Sequence, residues 1–216
     1  KPGRSPSTVG LWHARSGSHD LVIKRIAAPT NDELGPLHDR RHAAWWRREA
    51  LVAESGLLEQ TQGLISPACG GVESDDDGVT ITYEWVASAT NTGPQLARAL
   101  GRFAANPLPD VDWLARDLLR NRLARVEATG GWETLQQTTL REVAAALWQH
   151  RDAALAQLDA LPHVLQHGDP TPENLRGRRG DRVVAIDFAM LGEGPIGGDL
   201  GYLALSAREE LPVLME

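Results

Sequence analysis

One cysteine, Cys69, stands in 216 residues, so no intramolecular disulfide can form and no oxidising compartment is required. No apolar stretch approaches the length that spans a bilayer, and no signal peptide is visible at the start. Positive charge is in short supply. The 22 Lys and Arg against 29 Asp and Glu give a formal net charge of −7, which argues against a general partner of nucleic acid or of an anionic membrane, since both need concentrated positive charge. Internal repeats and low-complexity tracts are missing too. What is left is the make-up of an ordinary soluble globular protein, 42% hydrophobic and 24% charged, long enough for one or two domains and a substantial core. The cytoplasm is its default location. The acidic balance suits a cationic small substrate weakly, and solubility explains it equally well. Cys69 reads as a small apolar residue in the turn region from Pro67 to Gly70.

The most informative stretch runs from Val164 to Gly201. A short apolar run, Val164-Leu165, ends in His167-Gly168-Asp169, and five positions beyond Asp169 stands Asn174. A basic, glycine-containing turn from Arg176 to Gly180 leads to a second apolar run, Val183 to Ile186, which delivers Asp187. The pattern predicts a strand, a polar loop, a hairpin and another strand. These residue types at this spacing suit phosphoryl transfer. A hydroxyl attacking a γ-phosphate needs a carboxylate to orient it and accept its proton, and a triphosphate needs a divalent cation held by oxygen ligands such as an Asn amide and an Asp.

The segment resembles the Asp-plus-Asn catalytic loop and the metal-binding Asp of protein-kinase-like enzymes. Gly168 in place of the protein kinases' arginine, the later Gly194-Pro195 and Asp199-Leu200-Gly201 are more narrowly similar to the aminoglycoside phosphotransferase family. The resemblance implies an α+β, two-lobed protein-kinase-like fold. Residues 1–87 would form a β-rich nucleotide-binding lobe, and residues 88–216 a helical catalytic and acceptor lobe whose further C-terminal helices lie beyond Glu216. It also implies ATP, or GTP, with Mg²⁺, and a small-molecule hydroxyl acceptor. Asp169 would be the base, Asn174 and Asp187 the Mg²⁺ ligands, and His167 and Asp199 structural supports of the loop. Only twelve positions separate Asp187 from Asp199, too few for the long activation segment that protein substrates use, which favours a small acceptor.

Nearer the start, Thr8 to Trp12 and Leu21 to Ile26 flank a Gly-Ser turn in a β-hairpin pattern. Lys24, in the second strand, is either a solvent-facing strand lysine or, by the resemblance, the lysine that reaches the α- and β-phosphates. The Gly3-to-Ser7 turn resembles a phosphate-covering loop, with Ser5 and Ser7 as candidate contacts, although a full glycine-x-glycine pattern is lacking. Residues 30–58, opening on the capable N-caps Thr30, Asn31 and Asp32, predict a helix stopped by Gly56. On that helix Glu49, with Glu54 as competitor, would pair with Lys24. Asp77-Gly78 between β-rich runs marks a hairpin, and the acidic run Asp75 to Asp77 reads as a solvated turn. The segment Glu84-Trp85-Val86 looks like the hinge whose backbone groups would recognise adenine.

Three helices are then predicted. The first starts around Pro94 and breaks at Asn106-Pro107, the second carries Trp113 to Val126, and the third runs from about Thr138 to Leu161. The leading function is ATP-dependent phosphorylation of an aminoglycoside or related antibiotic. A metabolic kinase of the same fold, acting on a sugar, a choline-like alcohol or homoserine, is the alternative. From other classes come a catalytically inactive nucleotide-binding module and a purely structural protein. Oligomeric state is left open.

Overall fold

The structure, a computed structural model, describes residues 7–30, 35–130, 139 and 141–207. The N-terminal half is a four-stranded antiparallel sheet built from Thr8–Ser16 (β1), His19–Ala27 (β2), Cys69–Asp75 (β4) and Gly78–Glu84 (β5), in the order β1-β2-β5-β4. The period of two along β2 puts Val22, Lys24 and Ile26 on one face. Lys24 and Ile26 are buried there. Helix α1, Arg48–Ser55, lies across that face and buries Ala50 against Ile26, Val79 and Ile81. Its next turn places Val52 in the larger core, with Leu58, Phe103, Leu165 and Phe188. One short helix thus joins the two larger apolar clusters.

The second half combines Gly93–Ala104 (α2), Leu118–Ala128 (α3), Arg141–Gln149 (α4), Arg151–Asp159 (α5) and Gly198–Ala207 (α6) with two small sheets. Leu64–Ile65 (β3) runs parallel to Arg182–Ala185 (β8), which pairs with Leu175–Arg179 (β7), and His163–Gln166 (β6) pairs with Gly192–Pro195 (β9). α2 opens on a capping box in which Thr92 and Gln95 satisfy each other's backbone, with Pro94 in its first turn. Leu96, Leu100 and Phe103 form its buried face. The architecture is α+β. No described helix is long and apolar enough to cross a membrane.

Several sequence expectations need correction. The helix expected over residues 30–58 is confined to α1, preceded by a 3₁₀ turn at Gly35–Leu37 and by irregular turns. The reason is Arg48. Its buried guanidinium takes the carbonyls of Arg40, His42 and Ala43, together with those of Trp113 and Ala189, so these acceptors serve a side chain rather than a helical ladder. The second helix starts only at Leu118, because Ala115 instead bonds Leu191 and Glu193 at the edge of β9 and Asp117 adopts a left-handed conformation. The third is two helices, α4 and α5, broken at His150; Thr138 and Leu140 lie outside the described residues. Cys69 is an exposed residue of β4, not an apolar turn residue.

Arg48 has no carboxylate partner among the described residues, and burial pulls its guanidinium down to about 10. Five carbonyls from three separate segments depend on it. Replacing it by Met leaves buried acceptors unpaired, and the expected loss is at least about 3 kcal/mol of unfolding free energy in urea titrations. Arg48→Lys, which keeps the charge but lacks the planar fork, is expected to recover only part of it.

Candidate active site

Lys24 is the hub of the site. Its Nζ donates to Glu49 Oε2 at 2.5 Å and to Asp187 Oδ1 at 3.0 Å. The sheet supplies the lysine, α1 supplies Glu49 and the end of the β7–β8 hairpin supplies Asp187, so three distant segments meet on one ammonium. Burial pulls Lys24 down, but the two carboxylates outweigh it and hold the ammonium above its ordinary value. Burial pushes the Glu49 carboxyl up to about 7 against the pull of Lys24. Asp187 is 40% accessible through the cleft yet enclosed enough for burial to raise its carboxyl, and Lys24 overrides that effect and lowers it. The competitor Glu54 is exposed at the far end of α1.

Asp187 also carries backbone strain. Its φ of 63° and ψ of 57° lie in the left-handed region, at a cost of about 1–2 kcal/mol for a non-glycine residue. The conformation turns the chain out of β8 into the 3₁₀ turn Phe188–Met190. Within the hairpin, Ile186 N–H donates to the Asn174 carbonyl at 2.9 Å, which fixes Asn174 beside the strand end that bears Asp187.

The His167-Gly168-Asp169 loop is held from below. Buried Asp199, at the start of α6, accepts the His167 N–H at 2.7 Å and the Gly168 N–H at 3.0 Å. Burial pushes its carboxyl up, opposed chiefly by His167. His167 is fully buried, with Nε2 bonding the Ile186 carbonyl at 3.0 Å and Nδ1 accepting the Asp169 N–H at 3.2 Å. Its ring packs on Phe188 with centroids 4.5 Å apart. Gly168 has φ +83°, and a Cβ there would lie 2.3 Å from the Met190 carbonyl. That contact is the physical reason a side chain is excluded at this position. Asn174 Nδ2 donates to the Asp169 carbonyl at 2.9 Å and to Asp169 Oδ2 at 3.1 Å.

Lys24, Glu49, Asn174 and Asp187 line one cleft of about 710 Å³. Asn174, as its hydrogen bonds orient it, leaves Oδ1 without a partner among the described residues, and Asp187 opens onto the same space. Two oxygen donors at the edge of this cleft fit Mg²⁺, which takes one or two protein ligands and completes its shell with phosphate and water. Among the described residues no group of three His, Cys, Asp or Glu gathers, so an ion here would need ligands from outside the protein.

The other expected contacts fare unevenly. Glu84, Trp85 and Val86 line the cleft. The N–H groups of Glu84 and Trp85 are already given to the carbonyls of Ala68 and Asp20, so of the three only the Val86 N–H is without a partner among the described residues. The Glu84 side chain is engaged by Arg179. Ser7 does not line the cleft; its carbonyl accepts the Ala27 N–H, and its neighbour Thr8 reaches the wall. Ser5 lies outside the described residues. Sequence reasoning missed Arg176, which donates to the Val86 carbonyl at 3.2 Å with its guanidinium carbon 5.6 Å from the centroid of the Trp85 ring. It also missed Arg122, beside Asp169. Nothing in an arginine-rich turn or helix singles out either residue.

A family model described as the phosphotransferase enzyme family matches residues 74–215. Among solved structures, an aminoglycoside-3′-phosphotransferase of type VIII is 20% identical, with a TM-score of 0.58 over 98% of this chain and 78% of that one. An aminoglycoside phosphotransferase from Streptomyces rimosus, solved with ADP and streptomycin, is 19% identical, with a TM-score of 0.57 over 92% and 78%. A choline/ethanolamine kinase family protein from Mesorhizobium loti is 15% identical, with a TM-score of 0.53 over 95% and 68%. At these identities the likeness is one of fold, which is two-lobed and protein-kinase-like. No curated protein matches the sequence.

The raised Glu49 carboxyl makes folding take up a proton between its ordinary value of 4.5 and about 7. A raised folded-state value contributes stability that is fully present below the first figure and lost as pH rises through the second. The melting-temperature difference between the parent and Glu49→Gln, which cannot titrate there, is therefore expected to shrink as pH is raised from about 5 to about 7.5 and to level off above.

Proposed function

The chain belongs to the phosphotransferase enzyme family, and from that membership we propose that it moves the γ-phosphate of ATP, or of GTP, to a hydroxyl of a small molecule. The reading rests on one observation above the others, the meeting of Lys24, Asn174 and Asp187 at one cleft with Asp169 a hydrogen bond away. Residues 1–87 would hold the nucleotide and residues 88–216 the acceptor. Lys24, fixed by Glu49, would reach the α- and β-phosphates, and the Val86 N–H would meet the base. Asn174 and Asp187 would hold Mg²⁺, which when bound supplies charge neutralisation on the phosphate oxygens. Asp169 would orient the acceptor hydroxyl. The hydroxyl oxygen bonds to the γ-phosphorus as the bond to the β–γ bridging oxygen breaks, ADP departs, and the hydroxyl proton passes to Asp169. Because the transition state is loose, positioning counts for more than basicity.

An aminoglycoside or related antibiotic is the first acceptor class to test, since two of the similar folds carry that name; its phosphorylation would confer resistance. A metabolic alcohol such as a sugar, a choline-like alcohol or homoserine is the second. The Arg122 guanidinium beside Asp169 favours the uncharged or carboxylate-bearing members of this second class, because it sets a positive charge where a polycation or a choline-like ammonium would have to dock. ATP supply places the reaction in the cytoplasm.

Asp169→Ala is expected to cut acceptor-dependent ADP release by about 100-fold or more while the Mg-ATP dissociation constant, measured by calorimetry, stays within about threefold of the parent's. Turnover near the parent's would remove Asp169 from its role, and failure of the parent to bind Mg-ATP would remove the phosphotransfer reading itself.

A further inference from the structure

The reading above leaves one cation at the reacting carboxylate without a task. Arg122, on α3, donates through Nη2 to the Gly168 carbonyl, and the same nitrogen lies 3.3 Å from Asp169 Oδ1 and 3.3 Å from Met190 Sδ. Its guanidinium carbon sits 4.0 Å from the centroid of the Tyr202 ring, a cation–π geometry that fixes the group from the α6 side. The side chain is only 23% exposed. Its Nε and Nη1 bond no described residue, so N–H donors are unspent next to the place where an acceptor hydroxyl must sit.

Charge pairing sets Arg122 apart from its neighbours. Arg116 is matched by Glu193 and Arg120 by Asp159, and both carboxylates are otherwise idle in the reaction. The carboxylate facing Arg122 is Asp169, the group that takes the acceptor proton under the proposed function. Only Nη2 serves that pairing, so the Nε and Nη1 donors of this planar cation remain for a group that the acceptor brings. In a partly desolvated site, an ammonium beside the reacting hydroxyl is then repelled and a carboxylate is attracted.

We propose that Arg122 determines acceptor specificity, selecting a hydroxy acid, in which a carboxylate flanks the reacting hydroxyl, over its neutral or amino counterpart. The inference rests on the phosphotransfer reading and narrows its substrate class. Among antibiotics it restricts transfer to hydroxyls remote from an amine.

The test uses two matched acceptor sets, gluconate, glucose and glucosamine, and glycerate, glycerol and serinol, with Mg-ATP and the full chain. Parent, Arg122→Gln and Arg122→Lys are compared by kcat/KM. Within a set that turns over, the parent is expected to prefer the acid by about tenfold or more over the neutral member, with the amine poorest. Arg122→Gln should bring acid and neutral acceptors within about threefold, mainly through KM for the acid, with KM for ATP unchanged, and Arg122→Lys should keep most of the preference. An amine as the best acceptor, no acid accepting phosphate, or an unchanged order in Arg122→Gln overturns the proposal. A uniform fall in kcat for every acceptor in that variant also overturns it, since it would mark Arg122 as a mere brace of the loop. Each of these results with Mg-ATP binding intact leaves the phosphotransfer reading standing, whereas loss of Mg-ATP binding in the parent defeats both.

Discussion

The buried ammonium of Lys24, clasped by Glu49 and Asp187, is the contact on which the rest of the molecule is arranged. A cation leaves water at a cost of several kcal/mol, and that cost is offset only when partners are close, correctly placed and themselves held. Here the partners come from α1 and from the strained turn after β8, so satisfying the lysine forces the sheet, the helix and the hairpin into register. Loss of both carboxylates would leave an uncompensated charge, a change on the order of 3–5 kcal/mol, whereas loss of one leaves the ammonium paired with the other. The same geometry leaves Asp187 open to the cleft, where a lysine and a carboxylate can address a polyanion and its counter-ion together.

A second set of contacts carries the Asp169 loop. Asp199 binds two consecutive N–H groups, His167 bridges the loop to Ile186, and Gly168 passes so close to Met190 that no Cβ fits. Asn174 then ties Asp169 to the hairpin that also positions Asp187. The loop is therefore rigid before any ligand arrives, which suits chemistry that depends on placement more than on proton affinity. Arg48 performs an analogous task for the irregular segment before α1, spending its donors on five carbonyls rather than on a carboxylate.

Much of this was legible in the residues, for reasons that can be named. Lys24 shares the period-two face of Ile26, so its burial follows from strand parity once β2 is placed, though parity alone could not tell a clasped lysine from a solvated one. Hairpins announced by Gly17-Ser18 and Asp77-Gly78 formed where turn chemistry put them, whereas the turn expected over Arg176 to Gly180 shrinks to Gly180-Asp181, because Arg176 to Arg179 belong to β7 and pair with β8. The helices fared worse where a tertiary acceptor outbid local propensity. Carbonyls before α1 went to Arg48, and Ala115 went to the edge of β9. Arg122 and Arg176 were invisible because their partners lie dozens of positions away, and one arginine among several on a helix or strand carries no signal of which distant group it will meet.

The most direct test is a crystal structure of the protein with Mg²⁺ and a non-hydrolysable ATP analogue. The expected result is a metal at about 2.0–2.2 Å from Asn174 Oδ1 and an Asp187 carboxylate oxygen, with the Lys24 ammonium turned to the α- and β-phosphates and still bonded to Glu49. A nucleotide bound outside this cleft, or a metal that neither Asn174 nor Asp187 touches, would contradict the account.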